Sequence, residues 1–159
     1  MLAIDTLFGL PAHPLVVHAA VILLPIAAIS LVVVAAIPKA RRIYGPIVFA
    51  VALFATIAVF MAQQSGESLQ EQVKKSELVE EHAEMGETVL PWAIAVTIMS
   101  AIVAAEPYAR NRLGKVSPHV VTAILVGGSL IVGIGATWTV VEVGHSGAKS
   151  VWSSVSKNG

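Results

Sequence analysis

Apolar and polar positions fall in blocks along this chain. Four blocks, Leu15–Ile37, Pro46–Ala62, Pro91–Ala105 and His119–Val143, carry almost no charge. Each is of the length that takes a helix across a hydrocarbon layer of roughly 30 Å. The third is the shortest and gains length by running back through Glu87 to Leu90. A proline heads each block (Pro14, Pro46, Pro91, Pro118), where a helix's first turn has spare N–H groups and suits a φ near −65°. The pattern predicts helices over about 14–37, 46–63, 88–106 and 118–143 in a single four-span domain covering 1–159. Pro25 lies mid-span and predicts a kink in the first helix.

The one long polar segment, Gly66 to Thr88, separates the second and third blocks. Leu69, Val73, Val79 and Ala83 recur in it at roughly helical intervals. It therefore predicts amphipathic turns lying on the bundle, with Glu71, Glu77, Glu80 and Glu81 on a solvated face. Lys39, Arg41 and Arg42 follow the first block, and Arg110, Arg112 and Lys115 the third. Positive residues in short loops mark the cytoplasmic side, so both termini and the amphipathic segment are expected outside. Tyr44 and Tyr108 would then lie at the inner interface, and Trp92 at the outer one. The N-terminal stretch lacks the basic region of a signal peptide, so the first block is expected to be a permanent span.

Composition agrees. Hydrophobic residues make up 56% of the chain, charged residues 13%, and the mean hydropathy is +0.81, whereas a soluble domain carries about 25% charge. The fold class is all-α, an integral membrane four-helix bundle with an outer-face amphipathic segment between helices 2 and 3. Zero net charge argues against a nucleic-acid partner. The absence of cysteine removes disulfides, covalent haem attachment and thiolate-held clusters.

Chemistry then rests on histidine and carboxylate. His13 and His18 open the first helix, His82 precedes the third and His145 follows the fourth; His119 lies at the other side. Ionisable groups at membrane depth are costly and usually face a bundle interior, which makes them candidate site residues. Glu142 stands three residues before His145, on the same helical face, as a carboxylate that orients an imidazole would. Glu67 and Glu87 bring acids to the same rim, and Ser146 adjoins His145. Ser129, Gly133 and Thr137, and Ala93, Thr97, Ala101 and Ala105, recur every four residues, the pattern of close helix packing. Glu106 reads as an interface residue at the inner end of helix 3.

The stretches AHPLVVHAAVILLP, SGESL, HAEMGE and VGHSGAKSVW resemble the bacterial four-span membrane family known as domain of unknown function 2231. The resemblance implies a four-helix integral membrane domain and no particular activity. It also implies that His13, His18, Glu67, His82, Glu87 and His145 belong to a shared polar pattern.

The expected function is a histidine-rich outer-face site binding b-type haem for electron transfer, with His13, His18, His82 and His145 as candidate iron ligands and Glu67, Glu87, Glu142 and Ser146 in support. Two imidazoles from different helices suffice for one haem. The alternatives are a non-haem His/Glu site for zinc, copper or iron and a structural accessory subunit whose polar cluster ties helix ends together. An electron carrier or accessory protein is expected rather than an enzyme. Its expected setting is the bacterial inner membrane with the site on the extracytoplasmic face. Expected partners are the lipid bilayer, subunits of a respiratory or other membrane complex, or a second copy.

Overall fold

The computed structural model describes residues 6–7, 10–73, 76–110 and 116–152. A two-residue pairing of β1 (Thr6–Leu7) with β2 (Leu10–Pro11) precedes five helices: α1 (Ala12–Ala36), α2 (Pro38–Gln72), α3 (Glu77–Glu87), α4 (Val89–Ala109) and α5 (Pro118–Trp152). α1, α2, the α3–α4 stretch and α5 provide four candidate spans, long and apolar enough to cross a membrane. Ile22, Ile29, Phe54, Ile98 and Ile131 point outward from them, as side chains facing lipid do. The architecture is an all-helical membrane bundle. α3 is the amphipathic segment: the Ser76 hydroxyl caps it by accepting from the Val79 N–H at 3.3 Å, and Glu77 and Glu80 occupy the positive end of its dipole.

Helix bounds run beyond the apolar blocks. α2 starts at Pro38, not Pro46, and passes straight through Pro46. Pro38 takes the first-turn position that the sequence pattern gave to Pro46. α2 and α5 also continue to Gln72 and Trp152, because hydropathy marks where lipid ends rather than where backbone hydrogen bonding ends. Along α4 the buried positions are Val89, Ala93, Val96, Ser100, Val103 and Glu106, not the four-spaced stripe, and Ala105 is exposed. A strict spacing of four drifts about 40° per step around a helix of 3.6 residues per turn, whereas alternating threes and fours keeps one face inward.

The buried positions reveal an internal repeat. In α1, Ala20, Leu24, Ala27, Leu31 and Val34 are buried; 69 residues on, so are Val89, Ala93, Val96, Ser100 and Val103 in α4. In α2, Val48, Ala52, Ala55, Val59 and Ser65 are buried; 81 residues on, so are Ser129, Gly133, Ala136, Val140 and Ser146 in α5. The bundle is thus two similar hairpins, α1–α2 and α4–α5. Their exchange also maps the α2–α4 interface onto the α1–α5 interface, as a two-fold axis running along the bundle requires. Parallel repeats related in this way are a recurrent architecture of membrane proteins.

At one end of the bundle lies a buried ion pair. Arg41, 0% exposed, donates through Nε and Nη2 to the Ala35 carbonyl at 3.1 and 2.6 Å, and through Nη2 to Thr122 Oγ1 at 2.7 Å. Its Nη1 lies 3.3 Å from Glu106 Oε2. Arg110 donates to Glu106 Oε1 at 2.6 Å. The expectation of Arg41 in a solvated loop and Glu106 at the interface is therefore corrected. With α2 beginning at Pro38, Arg41 sits one turn into the helix, against the carbonyls that the end of α1 leaves unmet. Lys39 and Arg42 stay exposed.

Candidate functional site

The opposite end carries histidines. His13, in the first turn of α1, is half-buried; its Nδ1 lies 3.0 Å from the Ala62 carbonyl and 3.2 Å from Ser65 Oγ, both on α2. His82, on the inward face of α3, is equally half-buried. Its Nδ1 lies 2.9 Å from Ser146 Oγ on α5, with the Val143 carbonyl also against the ring. His13 and His82 are themselves 69 residues apart, and Ser65 and Ser146 are 81 apart. The two histidines are repeat equivalents, each held by the serine of the partner helix in its own hairpin.

The hydrogen bonding assigns the tautomer. A carbonyl only accepts, so His13 Nδ1 carries the hydrogen. Ser146 donates its own hydrogen to the Val143 carbonyl at 2.9 Å, which leaves its oxygen to accept from His82 Nδ1. Ser65 donates to the Ala62 carbonyl at 3.1 Å in the same manner. In its neutral form each ring then keeps Nδ1 as donor and carries its lone pair on Nε2. This is the form in which an imidazole binds a metal, with the other ring nitrogen bonded to a carbonyl or similar acceptor. The two rings are also within electrostatic reach of each other.

Glycine brings each ring close. A β-carbon on Gly66 would stand 3.0 Å from His13 Cε1, and one on Gly147 would stand 2.9 Å from His82 Cε1. Each hairpin therefore ends in a Ser-Gly pair, Ser65-Gly66 or Ser146-Gly147, with the serine bonding the imidazole and the glycine making room for it. Gln63 Nε2 donates to the Gly86 carbonyl at 2.9 Å and ties α3 to α2 beside the site.

The remaining candidates lie elsewhere. His18 is exposed, with Nδ1 bonded to the Pro14 carbonyl of its own helix. His145, Glu142, Glu67 and Glu87 are exposed, as is His119 at the other end. Among the described residues no group of three or more His, Asp or Glu side chains comes together as a metal cage. Of the expected set, His13, His82 and Ser146 build the site. Ser65, Gly66, Gly147 and the Ala62 and Val143 carbonyls complete it without having been foreseen. The recurrence of Ser-Gly in SGESL and HSGAK was the visible clue to them.

A family model described as a predicted membrane protein (DUF2231) matches residues 9–158. No curated protein and no solved structure matches the chain.

Proposed function

This chain belongs to the DUF2231 family of predicted membrane proteins, and from that premise we propose that it is a small membrane electron carrier whose His13 and His82 hold one b-type haem. The observation that carries this reading is the duplicated serine-anchored imidazole, which leaves two Nε2 lone pairs at one end of the bundle. A haem brings four nitrogens of its own and asks the protein for two axial ligands on different elements. Zinc or copper held by protein alone asks for three or four. Glu67, Glu87 and Glu142, needed for a mixed His/Glu set, are exposed, and among the described residues none of them joins the two histidines in a metal-holding group.

When bound, haem iron would supply one-electron redox chemistry. The chain's own residues would do the rest: Ser65 and Ser146 would hold the ring orientation and Gly66 and Gly147 would permit the close approach. Lys39, Arg42 and Arg110 cluster at the far end, so we place the histidine site on the extracytoplasmic face of the membrane.

The test is an absorption spectrum of the detergent-purified protein, oxidised and then reduced with dithionite, with metal analysis of the same sample. A Soret band that sharpens on reduction in wild type, and is lost in both His13→Ala and His82→Ala, is the expected result. A haem that survives both substitutions would remove these ligands. A colourless protein expressed with haem supplied, with both variants merely less stable, would favour the accessory-subunit reading.

A further inference from the structure

The axis that relates the hairpins also pairs two seams at the arginine end, α2–α4 and α1–α5, and among the described residues the two differ in charge. Lys39, Arg41, Arg42, Glu106 and Arg110 belong to the α2–α4 seam. On the α1–α5 seam Val120, Thr122, Ala123 and Ile37 take the places of Lys39, Arg41, Arg42 and Glu106. The charged seam is tight: a β-carbon on Gly45 of α2 would stand 2.8 Å from Ala104 Cα of α4. Arg42 and Lys39 lie three and six residues before Gly45, and each step of three drifts about 60° around the helix. That drift carries both from the helix contact to the flank beside it, where they are exposed.

Cations outnumber acceptors on this seam. Arg110 and Arg41 share the Glu106 carboxylate, at 2.6 Å on Oε1 and 3.3 Å on Oε2, and the buried Arg41 Nη1 that faces it has no hydrogen-bond partner. Lys39 and Arg42 make no ion pair among the described residues. The other acids described on α2 begin at Glu67, about 39 Å further along the helix than Arg41. Four cations therefore face one anion here. The surplus adjoins apolar surface: Pro46, Phe49 and Leu53 follow Arg42 at helical spacing on one face of α2, and Pro46 and Leu53 are exposed. A ligand that suits both parts has an anionic head rich in oxygen and a hydrocarbon tail.

We propose that the α2–α4 seam at the arginine end binds one anionic phospholipid, with its phosphate among Lys39, Arg42 and Arg110 and an acyl chain along Pro46 and Leu53. Basic groups between spanning helices at the membrane surface hold such headgroups. Arg110, with 33% of its side chain exposed, takes a phosphate oxygen without leaving Glu106. A zwitterionic lipid adds an ammonium that the same cations repel. The inference stands without the haem reading, because the histidine site lies at the opposite end of the bundle.

The test uses the full chain in detergent, given equal amounts of phosphatidylglycerol and phosphatidylcholine with the same acyl chains and read by native mass spectrometry. Wild type should bind one phosphatidylglycerol saturably and prefer it at least about 10-fold, since each basic side chain at an anionic headgroup contributes about 5-fold. Lys39→Gln with Arg42→Gln, both exposed and outside the ion pair, should lower that preference at least about 10-fold. Arg42→Gln alone, with a loss of about 5-fold, is the check should the double variant fail to fold. Lys149→Gln removes a cation outside this seam and should change nothing. No preference in wild type, a second equal equivalent in wild type, an unchanged preference in the folded double variant, or an equal loss with Lys149→Gln would each overturn the proposal. Displacement of the lipid by inorganic phosphate would make a free anion the occupant and overturn it as well. The haem spectrum of the same samples separates the two readings. A colourless chain that prefers phosphatidylglycerol overturns the haem alone, and a haem-bearing chain without that preference overturns the lipid site alone.

Discussion

The two ends of the bundle treat the same two-fold axis in opposite ways. At the histidine end the repeat is kept: His13 and His82, Ser65 and Ser146, Gly66 and Gly147 are paired equivalents, and both rings are only half-buried. At the arginine end it is broken. The repeat equivalent of Arg41 is Thr122, and the two meet across the axis in a 2.7 Å hydrogen bond. Arg41 alone touches groups from α1, α4 and α5. Symmetry is retained where two like groups can serve one ligand, and abandoned where one charged group must find opposite charge. The comparison sets the proposed ligand site at the first end apart from the helix clamp at the second.

The largest expected effect separates the ends outright. His13→Ala and His82→Ala should each abolish cofactor binding, to the same extent because the positions are equivalent, with helix content by circular dichroism unchanged. Retention of the Soret band in one variant but not the other would break the equivalence. Arg41→Ala should do the reverse, keeping the spectrum in whatever folds while destabilising the bundle, but by less than about 3–5 kcal/mol, the cost of a buried charge left wholly unpaired, because Glu106 keeps Arg110 at 2.6 Å. Denaturant unfolding in detergent measures this. Arg41→Met with Glu106→Leu should recover most of the loss, since replacing a whole buried pair is often near neutral. No recovery would mean that the bonds to Ala35 and Thr122 matter more than the ion pair.

The anchoring serines come next. Ser65→Ala and Ser146→Ala remove an acceptor behind a proposed ligand imidazole, a change that typically costs 10- to 100-fold in metal affinity. The two losses should differ, because His13 Nδ1 still reaches the Ala62 carbonyl at 3.0 Å whereas the closest partner of His82 Nδ1 is the Ser146 hydroxyl. Haem titration of the two variants checks the order, with Ser146→Ala the weaker binder. His18→Ala, His145→Ala and Glu142→Gln should leave the spectrum unchanged.

The four spans were legible because about 20 apolar residues in series have few uses other than crossing a membrane. The start of α2 was not: two prolines, Pro38 and Pro46, both fit a first turn, and the charge of KARR pointed to a loop. Only the neighbouring Glu106 and the carbonyl end of α1 make Arg41 tolerable inside. At the other end, His13 and His82 were legible as residues but not as a pair. Helical angle could have set His18 apart, since five residues turn it about 140° away from His13. Likewise His145 is about 100° from Ser146, so the serine's inward face excludes the histidine. Glu142 and His145 do share a face, as their spacing says, and it is the exposed one. The repeat escaped hydropathy because it is written in burial and not in residue type: Leu24 answers to Ala93, and Ala52 to Gly133, pairs that an apolar scale scores differently although they hold equivalent buried places.

The smallest expected effect sharpens the comparison within the histidine end itself. Four glycines lie near it, at 66, 86, 144 and 147, all in helices. Alanine at an open helical glycine gains up to about 1 kcal/mol from backbone entropy alone. A β-carbon at Gly86 or Gly144 meets nothing within 4 Å, so Gly144→Ala should raise the thermal midpoint. At Gly66 and Gly147 the same atom meets an imidazole Cε1 at 3.0 and 2.9 Å. The ring must shift, and the cost of overpacking, about 1 kcal/mol at the low end of its range, should cancel the gain. Thermal unfolding should therefore show Gly144→Ala stabilised and Gly66→Ala and Gly147→Ala near wild type, while haem affinity falls in the latter two alone. Equal stabilisation at all three sites would mean that the rings move freely, and that the glycines are there for helix packing and not for the histidines.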